Sequence, residues 1–467
     1  MTSNIQPRLL LEIIAVGILA FAGVLTKTAA NVAFPAMMAA FRVDLGTIQW
    51  VTSAYMLTAT LVIPLSAYLQ RNFTNRALFL VASLLFTAGT GLITVAPSLA
   101  LVLLGQVVQG GGNGIAIPLM FNIILAEVPP VQRGMMMGVG TLITATAGAI
   151  GPTYGGLLVD RWGWRMIFLA LLPLLVGSLL LGLVTIHGPR PNARQHFAVF
   201  DYGLLSLGLL SILLAQNGLG KATAAVSLAE YVVGLVSLAM FAYRSTHTAT
   251  PVLKLGIFKN ASFTWLALTY FTTFMVFLSM SFVMPNAVQL VLGQGSMIAG
   301  LAVLPGAAAA AILSPVSGHL LDRFGARRPI IGGAGLMLVG MVIFALLGSR
   351  LRLWQLVGTY LVMMVGLGLC ASNIMTCSLD GLTKDQQAAG NAVLNTLQQF
   401  AGAFGTSLSA LIIDRAQRQS GLSVSLTTAY GMQEIFLLFS GIIVIELIIL
   451  TVVLSRRQTP PDGSEFL

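Results

Sequence analysis

Lys27 stands inside an apolar run, "VLTKTAANVAFP" (Val24–Pro35), and Glu446 stands inside another near the end of the chain. Either charge at hydrocarbon depth is costly, so each must be paired, neutral or open to a polar path. Glu446 precedes Arg456 by ten residues, ~15 Å along a helix, which puts it close to a bilayer midplane. It reads either as an acid that binds and releases a proton or as a neutral acid bonded to a neighbouring helix. Lys27 follows Leu9 by eighteen residues, ~27 Å of helix, and three readings stand. It could snorkel to the interface, line a central polar pocket, or itself exchange a proton. In the pocket reading it joins Thr26, Thr28, Asn31, Gln106, Gln109 and Asn113. The second half of the chain would contribute Asn286, Gln289, Asn373, Asn391, Asn395 and Gln398. A cationic pocket disfavours lipophilic cations and favours anionic or neutral amphiphiles. Each amide could equally serve as an interhelical hydrogen-bond donor.

The elements that must position these residues are membrane-spanning helices. The 467-residue chain is 57% hydrophobic and 8% charged, too little charge to cover a soluble surface. Its mean hydropathy is +0.92. Fourteen apolar runs recur, roughly at 9–31, 47–69, 77–96, 99–120, 134–158, 165–187, 202–220, 225–244, 262–284, 297–318, 329–348, 353–376, 393–413 and 434–455. Each can cross ~30 Å of hydrocarbon; the seventh, eighth and thirteenth are short or polar at one end. The alternating ten-residue segments of a β-barrel are absent, so the fold class is an all-α polytopic membrane protein. With the N-terminus inside, 15 Lys and Arg fall in cytoplasmic segments and 8 in outer ones, which predicts both termini cytoplasmic. The net charge of +10 then reflects topology and attraction to anionic lipid, not nucleic acid.

The predicted layout is a six-helix bundle over 1–190, a linker with an inserted helical pair over 191–250, and a second bundle over 251–462. The linker lies at His187–Phe200, and "GSEFL" (463–467) reads as a cloning remnant. The first span is expected to act as its own signal. Cys370 and Cys377, seven apart on one span, read as packing thiols; Met135–Met137 and Met363–Met364 read as lipid-facing or packing residues. No G-x-x-x-x-G-K-[ST] loop and no catalytic set is present, and His187, His196, His247 and His319 fall at loops. No enzyme activity, cofactor or metal is expected.

A loop pattern repeats. "SGHLLDRFGARR" (Ser317–Arg328) matches "SAYLQRNFTNRA" (Ser66–Ala77) 251 residues earlier, and parallel repeats imply a path between two rocking halves. Here the chain resembles the fourteen-helix drug:proton antiporters of the major facilitator superfamily along nearly its whole length. "GHLLDRFGARR" is similar to the superfamily motif G-x-L-A-D-R-x-G-R-K, and "IGPTYGG" (Ile150–Gly156) to the antiporter motif G-P-x-x-G-G. "IQWVTSAYML", "WRMIF", "PNAVQLVLGQGSMIAGL" and "GNAVLNTLQQFAGAFG" resemble further family segments.

The resemblance implies a charge latch at Gly318, Asp322, Arg323, Gly325 and Arg327, against the plainer reading of a solvated basic loop. It also implies a seal between halves at Gly151, Pro152, Gly155 and Gly156, where ordinary tight packing would use the same residues. Two departures stand out. The first-half loop has Ala67, Arg71 and Thr74 where the motif wants Gly, Asp and Gly; and the family's membrane Asp and Arg are Thr26 and Gln106. Losing both members of a buried pair is tolerable where losing one would cost ~3–5 kcal/mol, but it removes the family's usual proton site. The expected function is export of an amphipathic, drug-like or lipid-like molecule by a monomer in a bacterial cytoplasmic membrane, with lipid as the other partner. The alternatives are an uncoupled or differently coupled transporter of an anionic or lipid-like molecule, and a membrane sensor on the same scaffold.

Overall fold

The computed structural model describes residues 7–186, 198–218, 224–247, 253, 255–348, 352–418 and 423–456. The linker at 187–197 and the segment 463–467 lie outside them, as do some helical side chains, Asp322 among them. Hydrocarbon offers backbone groups no partners, so spanning segments satisfy them internally as helices. Fourteen helices of at least 13 residues result among the described residues. They are α1 (Pro7–Phe41), α2 (Trp50–Val62), α3 (Asn75–Val95), α4 (Leu99–Glu127), α5 (Pro130–Trp162), α6 (Leu172–Thr185) and α7 (Val199–Gly218). There follow α8 (Ala224–His247), α9 (Ala261–Asn286), α10 (Ser296–Phe324), α11 (Arg327–Leu347), α12 (Leu353–Asp380), α13 (Lys384–Gln417) and α14 (Val424–Arg456). Thirteen spans are long and apolar enough to cross a membrane by length and composition. The fourteenth, α13, has the length but carries more polar residues, because it packs against α9, α14 and the opposite half's α2.

Helices α1–α6 form one bundle and α9–α14 the other. The inserted pair α7–α8 is stapled by Arg244 to Asp201 at 2.6 Å. It leans on the seam between bundles, where Gln216 Nε2 donates to Phe404 O at 3.1 Å. Local caps set the helix starts: Thr74 accepts from Ala77 N at 3.2 Å and Asn260 from Phe263 N at 3.1 Å.

The paired motif segments are not loops. Ser66–Asn72 is helical, and α10 continues through Gly318 to Phe324 before Gly325, at φ +74°, turns the chain into α11. An apolar run marks only the hydrocarbon-facing part of a helix, whereas the hydrogen-bonded ladder continues into the headgroup layer.

Candidate transport site at the seam between halves

The end of the molecule where α1 begins is the near end, and the end where α1 finishes is the far end. Among the described residues, every hydrogen bond between the two bundles lies toward the far end. Asn31 Nδ2 donates to Ser281 O of α9 at 3.4 Å, and Gln289 Nε2 to Val32 O at 2.9 Å. Phe34 meets Phe282 with ring centroids 5.7 Å apart. Between α2 and α13, Ser53 and Ser407 both donate to Gln49 Oε1, at 2.6 and 3.2 Å. The third contact is α5 with α10. A Cβ on Gly156 would lie 3.0 Å from Met297 Cα, and one on Gly300 2.8 Å from Thr153 Cα. Only hydrogen at these positions lets the two backbones meet.

Asp160, one turn beyond Gly156, completes this contact. Its carboxylate accepts from Ser296 N at 2.9 Å and Met297 N at 2.7 Å, the first free amides of α10. An anion from one half thus caps a helix N-terminus of the other, where dipole and unpaired N–H groups both favour it. Sequence reading passed over Asp160, although it lies within the stretch that follows the antiporter motif. Within that motif, Gly151 and Gly155 seat α1 at Thr28 and Ala29, Pro152 offers its carbonyl side to Gly300, and Gly156 meets the opposite half.

The motif at the near end is differently placed. A Cβ on Gly318 or Gly325 would meet nothing within 4 Å, so neither glycine serves a close helix approach. Arg323 and Arg328 lie over the ring of Phe324, at 5.3 and 5.7 Å, and Arg327 is exposed. The Asp322 side chain lies outside the described residues. In the first half, a carboxylate does sit beside the decayed motif: Glu127, at the end of α4, accepts from Asn75 Nδ2 at 3.3 Å. Burial pushes the Glu127 carboxyl above its ordinary range, while the Asn75 hydrogen bond and the Arg8 guanidinium pull it back.

The polar residues expected in one pocket separate into groups. Lys27 is partly buried and, among the described residues, makes no hydrogen bond or ion pair. It lies one turn from Gly23, which abuts Asn113 and receives Tyr55 Oη at 2.9 Å, and one turn from Asn31. Residues four apart share a helix face, so Lys27 lies on the face of α1 between α2, α4 and the opposite half. Asn31 also accepts from Thr52 at 3.0 Å, and Asn113 keeps its buried Oδ1 without a protein partner. Gln106, two turns before Asn113 on α4, is buried. Lys27 thus shares its helix face with Asn31 and with Gly23, which abuts Asn113.

Others are committed elsewhere. The Thr26 and Thr28 hydroxyls donate to their own helix, at Ala22 O and Val24 O. Gln109 turns to α3 and donates to Thr90 at 2.8 Å. Asn373 ties α12 to α10 through Ser317 O at 3.2 Å. Asn286 bonds back to Phe282 O, and Gln289 belongs to the far-end seal. Asn391, Asn395 and Gln398 form a second cluster along α13, partly buried, where Asn395 donates to Asn391 and Gln398 accepts from Tyr270 at 3.2 Å. Glu446 lies apart from both clusters, inside the second bundle. Met136, Met363 and Met364 are core residues, and both cysteines are buried and outside any disulfide.

Two bundles, a small-residue seal and a polar patch on α1 between them describe a transporter scaffold. Residues 16–406 match the family model of the Major Facilitator Superfamily. The chain belongs to that superfamily. Among the superfamily's members it is 31% identical over 403 residues, 85% of each chain, to the lincomycin resistance protein LmrB of Listeria innocua. It is 28% identical over 468 residues, 99% of each chain, to the uncharacterized MFS-type transporter YcnB of Bacillus subtilis. It is also similar to the multidrug resistance protein B homolog of Mycobacterium tuberculosis, at 28% over 395 residues, 83% of this chain and 73% of that one. In fold it matches a bacterial homolog of the human lysosomal transporter Spinster in an inward-facing, unoccupied conformation. There the TM-score is 0.68 at 15% identity, over 98% of this chain and 99% of that one. It is thus a multi-pass membrane transporter of the Major Facilitator Superfamily.

Proposed function

We propose that the protein exports an amphipathic organic molecule across a bacterial cytoplasmic membrane by alternating access, as a monomer with both termini cytoplasmic. With that orientation, the far-end contacts make this an inward-open state ready to load substrate from the cytoplasm. The observation that carries the reading is Lys27, which has no hydrogen bond or ion pair among the described residues and lies on the face of α1 that looks onto the seam, on the same side as the unpartnered Oδ1 of Asn113. Substrate enters from the near end, places its polar group against Lys27, Asn31 and Asn113, and lays its apolar body along the Phe271–Phe400–Phe404 cluster. Loss of the far-end seal and closure of the near end then release it outside. Transport is proton-linked without the first-half Asp and Arg, whose positions hold Thr26 and Gln106.

Reconstituted protein should move ethidium or anilinonaphthalene sulfonate under an imposed pH gradient. Flux of neither, under any gradient, would sink the exporter reading. Lys27 also favours a second reading, a transporter of anionic or lipid-like molecules that is not proton-coupled. Proton release on adding substrate at neutral pH would exclude it.

A further inference from the structure

Glu446 is 2% exposed and has no cationic partner among the described residues. Its oxygens instead meet two hydroxyls of α9: Thr273 Oγ1 lies 2.6 Å from Oε1 and Thr272 Oγ1 2.8 Å from Oε2. Both hydroxyls also lie within hydrogen-bond distance of one backbone carbonyl, Thr269 O, at 2.8 and 3.0 Å. Each hydroxyl owns one proton, so these four contacts compete for two. If Glu446 is ionised, the hydroxyls turn to the carboxylate and Thr269 O is left to its helix partner alone. If Glu446 binds a proton, it becomes a donor to one hydroxyl, and that hydroxyl can turn to Thr269 O. The cluster therefore has two proton arrangements that differ in what the α9 backbone receives.

We propose that Glu446, with Thr272 and Thr273, is the proton-binding site of this transporter and that α9 carries its protonation state to the seam. The step is the binding or loss of one proton at a carboxylate oxygen. Helix α9 suits the relay because threonine back-bonding bends helices, and this helix meets the opposite half directly. Ser281 O, which accepts from Asn31, lies eight residues beyond Thr273, ~12 Å along the axis. Beyond it come Pro285 and a wide π turn at Ala287–Val291 holding Gln289, which donates to Val32 O. A change of bend at Thr269–Thr273 thus acts on the far-end contacts of α9 with α1.

Among the described residues, the other elements around Glu446 hold no charged partner at this level. From α12 the Cys370 thiol lies within electrostatic reach of Glu446. Helix α11 carries Arg327 and Arg328 only in its first turn, and α13 carries Lys384 and Asp385 at one end and Asp414 and Arg415 at the other. Helix α9 and the π turn are uncharged, and Asp380 ends α12. On α14 itself, Glu434 is exposed beside Gln433, whose amide reaches Ala345 O near the far end of α11.

This inference rests on the proton-linked reading above, and two measurements on the full chain separate the two. Infrared difference spectra recorded across a pH titration of substrate-free protein should show a protonated-carboxyl band in the wild type that disappears in Glu446→Gln. Identical spectra overturn the proton site, whatever the flux. In liposomes, pH-gradient-driven uptake of ethidium or anilinonaphthalene sulfonate should fall about tenfold or more in Glu446→Gln, and Glu446→Asp should restore it with a displaced pH profile. Undiminished gradient-driven uptake in Glu446→Gln overturns the coupling role. Loss of uptake in both variants with an unmoved pH profile assigns Glu446 a purely structural part and overturns it too. No flux of either probe in the wild type, with the carboxyl band present, counts against the transport reading and not against the proton site.

Discussion

A lysine and a glutamate carry the unusual chemistry here, and they occupy opposite halves. Lys27 faces the seam with Asn31 and Asn113, while Glu446 is held inside the second bundle by Thr272 and Thr273. Substituting Lys27→Gln should weaken transport of anilinonaphthalene sulfonate about tenfold, the ~1.5 kcal/mol of one charge-assisted hydrogen bond, and should spare ethidium. Competition flux assays check this, and equal losses for both dyes would deny Lys27 a part in charge selection. At the near end, Glu127 gives a pH prediction. Its folded-state pKa is raised, chiefly by burial, so its neutral form is the one the fold prefers. Its contribution to stability is full below the ordinary carboxylate range and declines as pH rises through the raised value. Glu127→Gln should flatten that part of the melting-temperature profile, as read by thermal denaturation in detergent. Both key charges were visible in the sequence, because a charge in an apolar run needs no structure to be noticed. Which way each side chain points was not visible, so Gln109 and Asn373 could be grouped with Lys27 although each turns into its own bundle.

Three helix pairs hold the far end shut: α1 with α9, α2 with α13, and α5 with α10. The α5–α10 pair combines close backbone approach at Gly156 and Gly300 with the Asp160 cap. Charge-assisted hydrogen bonds of this kind contribute roughly 1.5–3 kcal/mol each. Asp160→Ala removes two of them and should shift the population toward far-end opening. Spin labels at Trp162→Cys and Gln294→Cys, both exposed, should then report a longer or broader distance; an unchanged distribution would mean that Asp160 does not hold the seal. Gly156→Leu should have a stronger effect, since its side chain would press on the α10 backbone. The antiporter motif could be read as a packing surface because runs of small residues permit close approach wherever they occur. The identity of the helix that approaches is a matter of topology, and Asp160 acquires its partner only when α10 starts beside it.

At the scale of the molecule, the far end is joined and the cluster Asn391–Asn395–Gln398 lies along α13 on the near-end side of those contacts. A membrane-impermeant maleimide should therefore label Asn395→Cys from the cytoplasmic face in inverted vesicles and not from the outside of intact cells. Labelling from the outer face alone would reverse the proposed orientation. Saturating transported dye should slow the labelling as the near end closes. The inserted pair α7–α8 contacts α13 and α2 at the seam, so it is placed to follow the relative motion of the halves.

The amino-acid sequence by itself determined the membrane class, the two-bundle plan with its inserted pair and the family. Apolar run length and motif order are local properties, and hydrocarbon leaves the backbone little choice but helix. It also places Thr26 and Gln106 where the motifs of the resembled family carry Asp and Arg. Only the tertiary structure decided how the polar residues divide: Lys27 with Asn31 and Asn113 at the seam, Glu446 with two threonines inside the second bundle, and Asp160 across the halves. A helix presents side chains in every direction, and the face that meets a partner is fixed by which helices pack beside it, through contacts 136 to 358 residues apart in the chain.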